Sequence, residues 1–141
     1  MGNKKGPIII LEDDADEQEL LAEVFEKMHV SNEVKFFADG ESFLKYLRST
    51  PDQPFLIISD VNIPMLTGLE VKAIINGDDF LRKKSIPFVF LSTSADKKAV
   101  EEAYNLTAQG YFLKQNTINE IERHLRLILD YWSECKHTNS V

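Results

Sequence analysis

The chain has 141 residues, 43% of them hydrophobic, with 16 Lys and Arg against 23 Asp and Glu for a formal charge of −7. This length suits one compact domain that buries roughly two thirds of its unfolded surface, and it leaves no room for a second. The acidic balance argues against a nonspecific nucleic-acid binder or a protein held to an anionic membrane, because both reward clustered Lys and Arg.

The single cysteine, Cys135, has no partner for an internal disulfide, which fits a reducing compartment. The first apolar run, Ile8 to Leu11, is cut short by Glu12, Asp13 and Asp14, so it makes no secretory leader. No later run approaches the roughly 20 apolar residues of a membrane span. A soluble, cytoplasmic protein is expected, with one domain over 7–135 and flexible ends at 1–6 and 136–141.

Ile8 to Leu11 follows Pro7 as a β-branched run of strand length that ends in Glu12 and Asp13. From Ala15 to Met28 the apolar residues Leu20, Leu21, Val24, Phe25 and Met28 keep helical spacing, with Asp14 available as N-cap and Asp16 and Glu17 in the first turn. Val34, Phe36 and Phe37 read as a second strand, stopped by the turn signal Asp39-Gly40. Phe43, Leu44 and Leu47 then mark a second helix to about Ser49.

Phe55 to Ile58, bounded by Pro51, Pro54 and Pro64, reads as a central strand buried on both faces that ends at Asp60. Thr67-Gly68 opens a third helix carrying Leu69, Ala73 and Ile74, closed by Asn76-Gly77-Asp78-Asp79, and Phe80 to Ser85 reads as a surface connection. Phe88 to Leu91 is a fourth buried strand ending in Ser92-Thr93-Ser94, followed by a helix from about Asp96 to Leu106. Gly110 to Leu113 is a fifth strand delivering Lys114, and Ile118, Ile121, Leu125, Ile128, Leu129 and Trp132 trace a long amphipathic last helix.

Five strands alternating with five helices predict an α/β domain: a doubly wound, flavodoxin-like parallel sheet of order 2-1-3-4-5 with helices on both faces. In such sheets ligands collect at the carboxyl ends of the strands, so function is to be read there. Strands one, three, four and five deliver Glu12 and Asp13, Asp60, Ser92 and Lys114. Crowded carboxylates repel and call for positive charge, which a hard divalent cation, first of all Mg²⁺, and the amine of Lys114 can supply. Taken singly, each residue has a plainer use: Glu12 and Asp13 as the acidic start of a helix, Asp60 and Ser92 as loop residues, Lys114 as a solvated lysine, Tyr111 as a half-buried aromatic.

Together these residues resemble the receiver domain of two-component response regulators. The matching segments are Ile10-Leu11-Glu12-Asp13-Asp14, Ile58 through Gly68, Phe90-Leu91-Ser92-Thr93-Ser94-Ala95 and Gly110-Tyr111-Phe112-Leu113-Lys114, and by their order and spacing the resemblance covers nearly the whole chain. The resemblance implies that Asp60 accepts a phosphoryl group from a sensor histidine kinase or a histidine phosphotransfer protein. It implies Mg²⁺ held by Asp13 directly, by Glu12 through water, by Asp60 and by the backbone carbonyl of Asn62. Ser92 and Lys114 would contact the phosphoryl oxygens, and Ser92 and Tyr111 would switch the face of the fourth helix, fifth strand and fifth helix for a downstream protein target.

The resemblance implies a signalling protein rather than an enzyme, beyond self-phosphorylation and slow autodephosphorylation on Asp60. Acting alone, it would be a monomer or a phosphorylation-dependent homodimer. Gln115 stands where the family usually has proline, so the loop after Lys114 is expected to differ. Two rivals are a phosphorylation-independent adaptor and a haloacid-dehalogenase-like phosphatase; the latter needs an aspartate two residues after its nucleophile, where this chain has Asn62.

Overall fold

A computed structural model describes residues 6–136, so the flexible ends expected at 1–6 and 136–141 lie, apart from Gly6 and Lys136, outside the described residues. The elements are β1 (Ile8–Leu11), α1 (Ala15–Lys27), β2 (Val34–Phe37), α2 (Gly40–Ser49), β3 (Leu56–Ser59), α3 (Gly68–Gly77), α4 (Asp79–Arg82), β4 (Phe88–Ser92), α5 (Lys97–Asn105), β5 (Gly110–Leu113) and α6 (Ile118–Glu134). All five strands run parallel in the order β2-β1-β3-β4-β5. That is the doubly wound, flavodoxin-like topology expected from the alternation.

Successive strand residues point to opposite faces, and the continuous apolar runs of β1, β3 and β4 feed two cores. Ile9, Leu11, Ile57, Phe88 and Phe90 pack with Phe43, Leu47, Val71, Ile75 and Ala103 from α2, α3 and α5. Ile8, Ile10, Leu56, Ile58, Val89 and Leu91 pack with Val24 and Phe25 of α1 and with Ile121, Leu125 and Ile128 of α6.

Helix starts are set by side-chain caps. Asp14 accepts from the amides of Asp16 and Glu17, and Asp39 from that of Ser42, which makes Asp39-Gly40 a helix start rather than only a turn. Thr67 and Glu70 form a reciprocal capping box at α3.

Two expectations on this stretch are corrected. The buried face of α3 is Val71, Lys72 and Ile75, whereas Ala73 is exposed and Leu69 and Ile74 are only half-buried. Phe80 to Ser85 is not a plain surface connection: Asp78 caps the single turn of α4, and Leu81 is driven to 1% exposure in the core, while Phe80 points outward.

Met65, just before α3, has φ 71° and a side chain 68% exposed. The left-handed backbone costs an L-residue roughly 1–2 kcal/mol, and glycine forfeits up to about 1 kcal/mol of chain entropy on ordering. Met65→Gly is therefore expected to stabilise the domain by about 0.5 kcal/mol. Urea unfolding checks this, and a loss of stability would mean that the exposed Met65 side chain makes up for its backbone.

Candidate functional site

Register decides which side chains meet at the carboxyl edge of the sheet. Leu11 pairs with Ser59, so Glu12 and Asp60 leave neighbouring strands side by side, and the Asp60 amide donates to the Leu11 carbonyl at 2.9 Å. Ser92 pairs with Leu113, and the Lys114 amide donates to the Ser92 carbonyl at 2.8 Å. The Lys114 side chain then turns back across the strand ends. Its Nζ lies 2.5 Å from Glu12 Oε1, 3.1 Å from Asp60 Oδ2 and 3.8 Å from Glu17 Oε2.

Three of the sequence-predicted residues are thus brought together: Glu12, Asp60 and Lys114. The side chain of Glu12 is nearly sealed, and burial pushes its carboxyl up, with the charge of Asp60 adding to the shift; the Lys114 amine and the Asp14 amide oppose it. Burial works against the ammonium of Lys114, yet the hydrogen bond to Glu12 and the charge of Asp60 outweigh it and leave the amine above its usual range. The site is a compact pair of acids held by one shared cation.

The remaining residues stand around this pair. Asp13 is exposed at the end of β1, outside the ion-pair reach of Lys114. Asn62 is exposed, and its amide donates to Asp60 Oδ1 at 3.3 Å. Among the described residues, no group of three or more His, Cys, Asp and Glu side chains is set as a metal cage; the amine of Lys114 takes the place between the two carboxylates. Ser92 is fully buried, and its hydroxyl accepts from the Ser94 amide at 3.2 Å. The Tyr111 hydroxyl donates to the Ser94 carbonyl, tying β5 to the loop after β4. Burial raises the Tyr111 phenol, against the neighbouring Ser92 hydroxyl.

The peptide bonds of the described residues are all trans, and Gln115 folds back so that its side-chain amide donates to the Leu113 carbonyl at 3.0 Å.

Three contributors are not evident from sequence. Ser59 donates its hydroxyl to the Asp60 carbonyl at 2.7 Å from a fully buried position. Gly68 donates its amide to Val61 at 2.7 Å and lies so close that a Cβ there would sit 2.2 Å from the Asp60 carbonyl oxygen. Glu17 joins the ion cluster from α1. The glycine that opens α3 was visible as a helix start, but its close approach to Asp60 depends on tertiary packing.

Comparison with known proteins agrees with this fold. A family model described as the response regulator receiver domain matches residues 8–126. The chain is similar to the probable methanogenesis regulatory protein FilR2 of Methanothrix harundinacea (strain 6Ac), 27% identical over 129 residues covering 89% of this chain and 82% of that protein. Among solved structures it is similar to the phosphorylated cyanobacterial phytochrome response regulator RcpA, with TM-score 0.83 and 28% identity over 94% of this chain and 98% of that one. It is also similar to the Mn(2+)-bound form of response regulator Rcp1, with TM-score 0.79 and 27% identity over 93% of this chain and 96% of that one. Among the described residues no helix is long and apolar enough to cross a membrane. Because the family match runs through all five strands and into α6 on a sheet of this order, the chain belongs to the response regulator receiver domains of two-component signalling.

Proposed function

We propose that this receiver is a phosphoacceptor whose reacting group is the Asp60 carboxylate and whose donor is a phosphohistidine on a sensor histidine kinase or a histidine phosphotransfer protein. The observation that carries the reading is the Lys114 amine lying between Asp60 and Glu12 at adjacent strand ends. A carboxylate attacks a polyanion poorly unless fixed positive charge offsets the phosphoryl oxygens, and a nine-tenths buried ammonium 3.1 Å from Asp60 supplies it.

In the transfer, Asp60 Oδ forms a bond to phosphorus as the histidine N–P bond breaks, and the released imidazole takes up a proton. Lys114 pairs with one phosphoryl oxygen and Ser92 donates its hydroxyl to another. Glu12 and Asp13 after β1, with Asp60 and the backbone carbonyl of Asn62 after β3, are oxygen donors of the kind that suits a hard cation such as Mg²⁺, which keeps several waters and so needs only one or two carboxylates rather than a full cage. When bound, the cation supplies further positive charge against the incoming phosphate. The similarity to a phosphorylated and to a Mn(2+)-bound response regulator supports both halves of the reading.

Switching follows from contacts that exist only in one state. Ser92 gains a phosphoryl partner only when Asp60 is modified, and its hydroxyl now receives the Ser94 amide, whose carbonyl holds Tyr111. Modification at Asp60 therefore reaches the face of α5, β5 and α6, where Tyr104 and Leu113 are exposed for a downstream protein.

Incubation with Mg²⁺ and acetyl phosphate, followed by intact-mass measurement and peptide mapping, is expected to place one phosphoryl group on Asp60, with none on an Asp60→Asn variant. An adduct on another residue, or none under conditions where the wild type is folded, would remove the proposal.

A further inference from the structure

Away from the strand-end crevice, α3, α4 and β4 enclose a cavity of about 490 Å³, within the size range of small-molecule sites. Its apolar lining includes Ile75, Leu81, Ile86 and Phe88, and among the described residues the only charged side chains lining it are Lys72 and Arg82. Arg82 is already paired with Asp79 at 2.9 Å, so Lys72 is the cation of this lining with no carboxylate beside it.

Lys72 is the informative residue. It is only 6% exposed, and lysine is almost never that buried without a partner. Its Nζ donates to Asn76 Oδ1 at 2.9 Å and stands 5.8 Å from the centre of the Phe88 ring. The Asn76 amide group is fixed the right way round for this, since its Nδ2 donates to the Leu106 carbonyl at 2.8 Å. Among the described residues, no carboxylate lies within ion-pair distance of Lys72. An ammonium with three donors thus has a neutral oxygen as its hydrogen-bond partner, and its side chain lines the cavity. Burial alone holds its pKa below the usual lysine value.

A buried, unpaired cation costs stability, and an anion that pairs with it recovers that cost. We propose that this cavity binds a small organic acid, with its carboxylate on the Lys72 amine and its apolar body against the half-buried Ile86. The apolar part of the lining favours an acid with a hydrocarbon body over a bare inorganic anion.

The test is an amide NMR titration of the full chain with hexanoate and benzoate, against 1-hexanol and benzyl alcohol as uncharged matches. Both acids are expected to shift the amides of Lys72, Asn76, Leu81 and Phe88 saturably at millimolar concentration. The alcohols should bind about tenfold more weakly, the ratio that loss of one charge-assisted hydrogen bond implies. Lys72→Met, which keeps the length and apolar stem, should reduce the acids to the level of the alcohols. Equal binding of acids and alcohols, no saturable shift with either acid, or the same shifts from inorganic phosphate would each overturn the proposal. The wild-type comparison of acid with alcohol decides the matter even if the variant does not fold.

Discussion

Replacing Lys114 by methionine is expected to cost the folded domain about 3 kcal/mol at about pH 7.5, and to cost much less at about pH 5. The side chains of Lys114, Glu12 and Asp60 are 10%, 3% and 10% exposed, so the charges left behind are poorly solvated. Removing one partner of a buried ion group leaves uncompensated charge, which is why the effect exceeds that of a surface pair.

The pH dependence fixes the cause. In the wild type, Lys114 has a raised folded pKa, so its contribution is present below 10.5 and is lost only as pH climbs through that raised value; it does not titrate in the acid range. Glu12 is already raised from 4.5 by burial and the Asp60 charge, and Lys114 is the main group opposing that shift. Without the amine, the folded pKa of Glu12 rises further, so the native state holds its proton more tightly than the unfolded chain does. The variant then loses stability as pH rises from 4.5 through the raised folded value and recovers it on acidification. Urea unfolding at the two pH values measures both terms, and a loss of equal size at each would show that packing, not charge, accounts for it. Phosphoryl uptake from acetyl phosphate should fall by about a hundredfold in the same variant, the scale of losing one preorganised charge at a transition state.

How far the sequence reaches is clearest at the strands. The runs Ile8 to Leu11, Phe55 to Ile58 and Phe88 to Leu91 could be placed because a strand buried on both faces is apolar along its length, and because Pro7, Pro54 and Pro87 stand just before them; the last two of these strands then run on to Ser59 and Ser92. The site followed from topology, since a parallel sheet brings Asp60, Glu12 and Lys114 to one edge whatever the intervening helices contain. Which of two adjacent acids turns inward was not legible: only the pairing of Leu11 with Ser59 sets Glu12 against Lys114 and leaves Asp13 in solvent.

The helix at Gly68–Gly77 was placed by Leu69, Ala73 and Ile74, of which Leu69 and Ile74 pack against the core and Ala73 is exposed. The burial of Lys72 beside Val71 and Ile75 had no signal in the sequence, because it depends on the amine finding Asn76 one turn on. Leu81 was missed for a simpler reason. One turn of helix has no periodicity to detect, and its burial depends on β4 and α3 already being in place.

Gly68→Ala is expected to destabilise the domain by about 3 kcal/mol, the upper part of the range for forcing atoms into a packed interior. The alanine methyl would stand 2.2 Å from the Asp60 carbonyl oxygen, 2.8 Å from the Ser59 hydroxyl and 3.0 Å from the edge of Phe90. Contacts of that length cannot be relieved by a side-chain rotation, because the nearest atom belongs to the backbone. One of two things must give: α3 moves away from the sheet, or the Asp60 loop moves away from α3. The second is the easier, since the Ser59 and Gly68 hydrogen bonds that hold the loop, to Asp60 O and Val61 O, both lie on this contact. The carboxylate of Asp60 would then be displaced from Lys114 while the rest of the sheet keeps its register. Phosphoryl uptake should therefore fall at least as far as in Lys114→Met, even under conditions where circular dichroism reports a folded chain. The two variants separate on pH: the Gly68→Ala loss is steric and should persist at about pH 5, whereas the Lys114→Met loss should shrink. A Gly68→Ala protein that folds with unchanged stability and accepts phosphate normally would mean that the tight seat of α3 under Asp60 is not what holds the acceptor in place.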